Sequence, residues 1–580
     1  MTESPNGPSA AGRFGGSASG LAFLLCLILL VVKGWDRLVQ PHLWAEDGPV
    51  YLLEALTDPW LSIFNQYGGY FQIFQRLVVH LLALFPLSWL PALIVLTSYV
   101  LYAAFAAQFA RPAFRDYVPS DRARVLTSAM LVFLPGMGEI AGNLCNLFRP
   151  MFVFTWFLAL KPPRLALRTW ELLALALFAF SAGQVVVILP MLCFRLYYQI
   201  REQQPRPMIR REISAILVVF LSGAVSALQP ATESPLARPP LSEVISTATS
   251  LLPRVLVYQP WLGPQWTIKL AASHGFFLWI VGLAILGAIT WFVLKRRGVS
   301  GRQLLLGLLA AYAVWPITMS VRPQALSVIR DAPEFFWNMR YGYQVAPFAV
   351  ILWMTVFYSP RYLKRKGSLL LAAVFAIVYV FGNHGYSSIR AYGTDFDWQA
   401  DVAELEMAIA TGCPPEVFIP VYPSHPPGHW GIRYQGGTER CLATLIGSRE
   451  HKQPASNTSQ PEQMIWVDVP APGSLVESSF VVAGWAIDRR ASSGTGVQAV
   501  HAWALPTSTG APIFLGQATL EGDRQDVGEV YGAQFSSSGY TLTVEDIPPG
   551  NYDLLVAAYS NVTSSFDSSR STSITVAGSD

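Results

Sequence analysis

Apolar runs recur along the first two thirds of the chain and stop near residue 383. The first, residues 20–33 (GLAFLLCLILLVVK), follows a Ser/Gly-rich tail. Others occupy 87–110, 125–135, 151–160, 170–182, 185–196, 213–228, 275–294, 304–319, 345–358 and 368–381. A perpendicular membrane span needs about 20 apolar residues, so the shorter runs must borrow aromatic flanks or be covered by neighbouring helices. No small-x-small cleavage site follows the first run, which continues through Gly34, Trp35, Asp36 and Arg37, so it reads as a retained span. Residues 72–85 carry Arg76 and His80 and make a poor lipid-facing helix. One crossing is therefore expected between 72 and 110, for a total of about 11 spans.

The polar stretches between the runs orient them. Lys and Arg gather at 111–124, 161–168, 195–211, 295–302 and 361–366, and cytoplasmic loops retain such residues. The alternate loops, 136–149, 181–184, 229–273 and 321–340, then lie outside. The tail 1–19 is expected in the cytosol, and everything after 381 outside.

The pattern changes after residue 383. Residues 384–448 are mixed polar and Pro-rich, and 449–464 form a polar linker. From 465 to 577, short β-prone runs (FVVAGWAID, VQAVHAWAL, PIFLGQATL, GYTLTV, YDLLVAAYS) alternate with Gly, Pro, Ser and Asp. That spacing predicts a β-sandwich of about 110 residues, enough for its own core. The expected fold class is a polytopic α-helical membrane protein carrying a C-terminal all-β sandwich.

Composition agrees with this picture. Of 580 residues 52% are hydrophobic and 13% charged, against roughly 25% charged in globular proteins; the excess is lipid-facing surface. A net charge of +3, without a basic block set among aromatics, excludes nucleic acid as a partner. Five cysteines make no disulfide scaffold and have no zinc-site spacing. Cys413 and Cys441 both fall outside, in an oxidising compartment if the cell is bacterial. They either pair, closing about 29 residues for roughly 3–4 kcal/mol, or remain free thiols.

Candidate chemistry concentrates in the first outside loop, residues 42–77, HLWAEDGPVYLLEALTDPWLSIFNQYGGYFQIFQRL. Adjacent Glu46 and Asp47 are framed by Trp44 and Tyr51 and followed by Gly48 and Pro49, which set a turn. Neighbouring carboxylates bind a divalent cation or take a proton from a sugar hydroxyl; alternatively they cap a helix that starts at Pro49. Arg76 suits a lipid phosphate or simply snorkels to the interface. The later loop 320–348 adds Arg322, Arg330, Asp331, Glu334, Arg340 and Tyr341, the last two as phosphate holders or interfacial anchors. Glu139, Asn143, Asn146 and Arg149 are candidates for sugar contacts or for loop structure. In the last domain, Trp485, Trp503, Tyr540 and Tyr552 fill a core or stack on a carbohydrate. Asp488, Asp523 and Asp526 form turns or bind calcium.

An acidic pair in the first outside loop, followed by the aromatic GGYFQIFQR entry to the next helix on about 11 spans, resembles the GT-C superfamily of membrane glycosyltransferases over residues 15–450. The resemblance implies a lipid-linked sugar donor, a polyprenyl phosphate, and an acid of this loop at the catalytic centre. Carried over by position, Asp47 is the catalytic acid and Glu46 its neighbour and competitor. Trp44 and Tyr70 would face the substrate, with Arg76, Arg340 and Tyr341 around the phosphate. A divalent cation, Mg or Mn, is compatible with Glu46 and Asp47, yet no second Asp-x-Asp signature accompanies them. Residues 465–577 are similar to an Ig-like module of exported bacterial proteins. The expected protein is a multi-pass transferase of the bacterial inner membrane, its last domain extracytoplasmic. It would move a sugar to a glycan or protein acceptor among membrane lipids. The rival reading is a non-catalytic transporter or scaffold for lipid-linked glycans.

The charge pattern makes one direct prediction. A reporter fused after Ser448 is expected to behave as exported; a fusion active in the cytosol would reverse the orientation.

Overall fold

The computed structural model describes residues 15–58, 60–67, 70–228, 239–321, 326, 343, 345–358, 365–390, 398–414, 416–421, 431–435, 441, 462–507, 512–563 and 565–578. The chain divides into two compact units. One is Met1–Phe396 with Val421–Trp430, and the other is Asp397–Pro420 with Gly431–Asp580.

The first unit is helical. Four stretches are long and apolar enough to cross a membrane: Leu87–Ala110, Gly183–Arg201, Leu241–Ser320 and Lys366–Tyr386. The third contains several helices, because the backbone leaves helical geometry at Gly263, His274 and Gly298. Gly263 adopts φ 74° where the chain passes so close to the Gly382 backbone that no side chain would fit. Shorter apolar helices include Ala18–Lys33, Ile73–Leu82, Cys145–Leu160, Thr169–Ala179 and Ala346–Phe357. Their brevity has a packing reason. Every residue from Arg149 to Leu160 is buried, as is all of Ala346–Phe357 except Trp353 and Val356. Aromatic contacts fill the space around them, such as Trp156 on Phe348 at 4.5 Å and Phe154 on Phe178 at 5.4 Å. Helices walled in by protein need no full-length lipid-facing surface.

The loops fall into two bonded groups. At one end Glu171 holds both Arg111 (2.8 Å) and Lys161 (2.7 Å), and Arg195 forks onto Glu212 (2.7 and 2.9 Å). Arg164 pairs with Asp116 (2.6 Å), whose carbonyl accepts from Arg297 (2.8 Å). Four of the five basic stretches thus meet there. At the other end Arg37 donates to the carbonyls of Gly138 (2.9 Å) and Arg390 (3.0 Å). Gly136 donates to the Tyr386 carbonyl (2.9 Å), and the Phe74 amide to the Ser181 hydroxyl (2.8 Å). This division is the one that the alternation of charge implies. Helix Ile73–Leu82 has ten residues, about 15 Å of rise, too little to cross. His80 near its far end meets Ser62 of the preceding loop at 3.1 Å.

The second unit holds two large sheets and a separate antiparallel two-stranded sheet, Glu416–Pro420 with Gly431–Gln435. Its strands follow two short hairpin strands in the first unit, β1 (Gln66–Tyr67) and β2 (Tyr70–Phe71). They are β3 (Glu416–Pro420), β4 (Gly431–Gln435), β5 (Gln463–Val469), β6 (Ser474–Val476), β7 (Phe480–Asp488), β8 (Val497–Pro506), β9 (Ile513–Gln517), β10 (Thr519–Gly522), β11 (Gly539–Val544), β12 (Gly550–Ser560) and β13 (Ser565–Val576). One large sheet runs β10-β11-β7-β5 and the other β6-β13-β12-β8-β9, with β3 and β4 paired apart from both. All pairs within them are antiparallel except β6 with β13. Val482, Ala486 and Tyr540 from one sheet pack with Val500, Leu554 and Val556 from the other, as the alternation of apolar residues requires.

The boundaries differ from those read from sequence, which set 384–448 and 449–464 apart from the sandwich. Residues 397–420 and 431–441 belong to the sandwich unit. The reason lies in β8 and β12, which are buried on both faces. Their second face presents Ala499, Trp503, Leu555, Ala557 and Tyr559, and Met407 of helix Trp398–Thr411 packs on it with Cys413 and Cys441. Those two cysteines are joined in a disulfide, Cα atoms 4.7 Å apart. Runs such as VQAVHAWAL and YDLLVAAYS are near-continuously apolar, the mark of a strand with no solvated side.

A fragment spanning 397–578 is therefore expected to be soluble, monomeric and cooperative in melting. One spanning 463–578 would expose Trp503 and its neighbours and aggregate. Equal behaviour of the two in gel filtration and thermal melting would mean that the covering segment is dispensable.

Candidate functional site

The first loop is built from short irregular turns. A 3-10 turn (Ala45–Asp47) runs into a π turn (Gly48–Leu52) and one α turn (Leu53–Thr57), with Pro49 at the start. Asp47 makes no side-chain cap to this helix of its own. It is fully buried, and its two oxygens accept from the backbone amides of Leu144 (3.0 Å) and Cys145 (2.9 Å). These amides open the turn Cys145–Leu147 that leads into helix Phe148–Leu160. Asp47 thus caps a helix start distant in sequence and ties the first loop to the second. Burial lifts its carboxyl to about 8, the two amides pulling it back and Glu46 adding a smaller push upward.

Glu46 has the opposite setting. It is half-buried; Oε1 lies 3.5 Å from the Tyr67 hydroxyl, and Oε2 is buried with no partner among the described residues. Tyr51 is buried against this centre and donates to Oε1 of Gln72, whose amide donates to the Tyr67 carbonyl (3.4 Å). Arg76 is 1% exposed. Its Nη1 donates to Glu54 (2.7 Å) and its guanidinium lies 5.5 Å from the Tyr51 ring, while Nε and Nη2 have no partner among the described residues. Trp44 is buried beside the acids in sequence. Tyr70, on the β1–β2 hairpin, lies edge-on to Phe148 at 6.1 Å. His42 accepts from the Leu43 amide (2.6 Å), and burial pulls its imidazole down to about 4.

No family model matches the chain, and no curated protein matches it.

The other candidates divide by role. Asn143 and Asn146 both donate to the Glu139 carbonyl (2.8 and 2.9 Å), and Asn143 Oδ1 accepts from the Asn146 amide (3.1 Å), so both brace the second loop. Arg149 lies over Phe148 at 4.8 Å. Arg322, Arg330, Asp331, Glu334, Arg340 and Tyr341 lie outside the described residues. In the second unit Trp503, Tyr540 and Tyr552 are buried in the sandwich, and Trp485 is half-buried against Tyr531. Asp488 is buried and bonded to Arg490 (2.6 Å) and Ser560 (2.5 Å), and Asp526 pairs with Arg524 (2.7 Å). Asp523 accepts from Gln525 (2.9 Å). Glu54, Tyr67 and Gln72 were not singled out from sequence. A polar Gln at the entry of an apolar helix was the available signal for Gln72.

Both oxygens of Asp47, one of the two acids expected to hold a divalent cation, are engaged by backbone amides. Among the described residues no group of three or more His, Cys, Asp or Glu side chains is placed to hold a metal ion.

The tie at Asp47 can be tested. Asp47→Asn keeps the size but points an N–H at one of the two amides, leaving it unpaired in a buried site. The expected loss is about 1–3 kcal/mol, read as a lower melting temperature in detergent, with Glu46→Gln close to the parent. Equal melting of Asp47→Asn and parent would show that the two amide bonds do not hold the loops.

Proposed function

We propose that the chain is a membrane glycosyltransferase of the GT-C kind, moving a sugar from a polyprenyl-phosphate-linked donor to an acceptor outside the cytosol. The carrying observation is a buried polar centre at one end of a helical membrane unit, where Glu46 and Arg76 keep polar atoms without protein partners among the described residues. Buried groups are normally paired. Unmet ones of opposite charge in one loop are what a substrate with a hydroxyl and a phosphate would satisfy. Of the two acids, Glu46 suits proton transfer, because Asp47 is occupied by amides. Asp47 acts as the brace that sets the height of the loop.

In the proposed step the acceptor hydroxyl passes its proton to the Glu46 carboxylate as its oxygen bonds to the anomeric carbon. The bond from that carbon to the donor phosphate breaks, its electron pair leaving with the phosphate, and the configuration inverts. Arg76 offers Nε and Nη2 to the phosphate oxygens. Trp44, Tyr51 and Tyr70 supply flat apolar walls on which a sugar ring stacks. The bonded loop groups and basic stretches support about 11 spans, a cytosolic basic end and an extracytoplasmic polar end in a bacterial inner membrane. On that orientation the second unit, read as an Ig-like sandwich, stands outside.

Sugar transfer from labelled polyprenyl-phosphate donors in membranes decides the reading. Glu46→Gln is expected to lose at least about 100-fold in rate while expressing and melting as the parent does, and Arg76→Gln to raise KM for the donor. A folded Glu46→Gln that transfers at the parental rate sinks the catalytic assignment and leaves the transporter or scaffold.

A further inference from the structure

A second feature of the helical unit involves none of these residues. The segment formed by helix Leu241–Pro253 and the π turn Arg254–Tyr258 packs against the helix that follows His274. At Gly282 the two touch: an added Cβ would fall 2.5 Å from Pro253. Tyr258 donates to the Leu278 carbonyl (2.6 Å) near the same level. Two turns earlier, at Gly275, nothing lies within 4 Å of an added Cβ. The helices therefore splay and leave a cleft of about 430 Å³ lined by Ser246, Thr249, Ser250, Arg254, Phe276 and Trp279.

The chemistry of this wedge is specific. Arg254 is half-buried in it, its guanidinium with no hydrogen bond or ion pair among the described residues, whereas buried Arg195 and Arg124 each have a carboxylate. An uncompensated guanidinium beside lipid is costly and calls for an anion. Ser246, Thr249 and Ser250 share one face of their helix, spaced three and four apart; Thr249 and Ser250 donate to the carbonyls of Ile245 (2.7 Å) and Thr247 (2.8 Å), bonds that a hydroxyl can exchange for a ligand oxygen by rotating. The Trp279 indole donates to the Thr249 carbonyl (3.3 Å) and closes one wall. The rim is apolar and open: Phe276 is 77% exposed and Ile245 53%, and the exposed Phe277 and Ile280 continue the apolar surface. A free anion gains nothing from such a rim, whereas an amphiphile fits its head within and its chain along it.

We propose that this cleft binds the phosphate headgroup of a membrane lipid, with Arg254 as its anchor. The assignment does not depend on the transferase reading or on Glu46.

Native mass spectrometry of the detergent-purified full chain tests it, with phosphatidic acid, phosphatidylcholine and inorganic phosphate as probes. Phosphatidic acid is expected to bind at least about tenfold more tightly than zwitterionic phosphatidylcholine. Arg254→Gln is expected to lose at least about tenfold in affinity for phosphatidic acid. Gly275→Leu, which keeps Arg254 but fills the wedge, is expected to lose as much. It decides the matter should Arg254→Gln fail to fold. Lys269→Gln, which removes a nearby cation outside the cleft, is expected to leave binding unchanged. Parental affinity in Arg254→Gln or in Gly275→Leu would overturn the site. An equal loss in Lys269→Gln would reduce it to general charge attraction, and displacement of the lipid by millimolar inorganic phosphate would make it a free-anion site.

Discussion

The helical unit depends on one constraint: a polar group enclosed by apolar surroundings must find its partner within the protein. Asp47 shows how far this reaches. Its carboxyl group terminates a helix that it does not belong to, and so ties together two loops far apart in sequence. The same rule acts at the opposite end, where Glu171 gathers Arg111 and Lys161, and Arg195 is forked by Glu212. Charges that would be expelled singly become fasteners in pairs. Where the rule is left unmet among the described residues, as at Glu46, Arg76 and Arg254, a ligand is the complement proposed above.

Much of this was legible in the chain, and the exceptions have physical causes. Apolar periodicity marks the helices because lipid and a dry interior demand the same residues. That is also why it says little about which short helices face lipid: Arg149–Leu160 reads like a truncated span and is wholly enclosed by protein. Loop grouping followed from Lys and Arg alone. The strands of the sandwich were readable from their alternation, but the cover on its second face was not, since helix Trp398–Thr411 gives no sign of what it packs on. Only the lack of alternation in β8 and β12 signals that something must lie there.

The acidic pair illustrates a different limit. Composition and spacing single out Glu46 and Asp47 together and give them near-equal claims. What separates them is which carboxylate meets amides from elsewhere in the fold, a long-range property that no local motif encodes. Turn chemistry suggested a cap, and a cap is present, but on the helix start at Cys145 rather than at Pro49. Likewise Arg254 is one of many arginines in the sequence, and its setting emerges only where two helices part around Gly275.

The cover on β8 and β12 has a consequence for the order of biosynthesis. Helix Trp398–Thr411 is translated before either strand, so its apolar side has no surface to rest on until the sheet behind it is made. During that interval Met407 and the two cysteines lack the surface that later buries them. The segment gains its cover only once both β8 and β12 have been made, and until then its apolar side must be kept from other apolar surfaces.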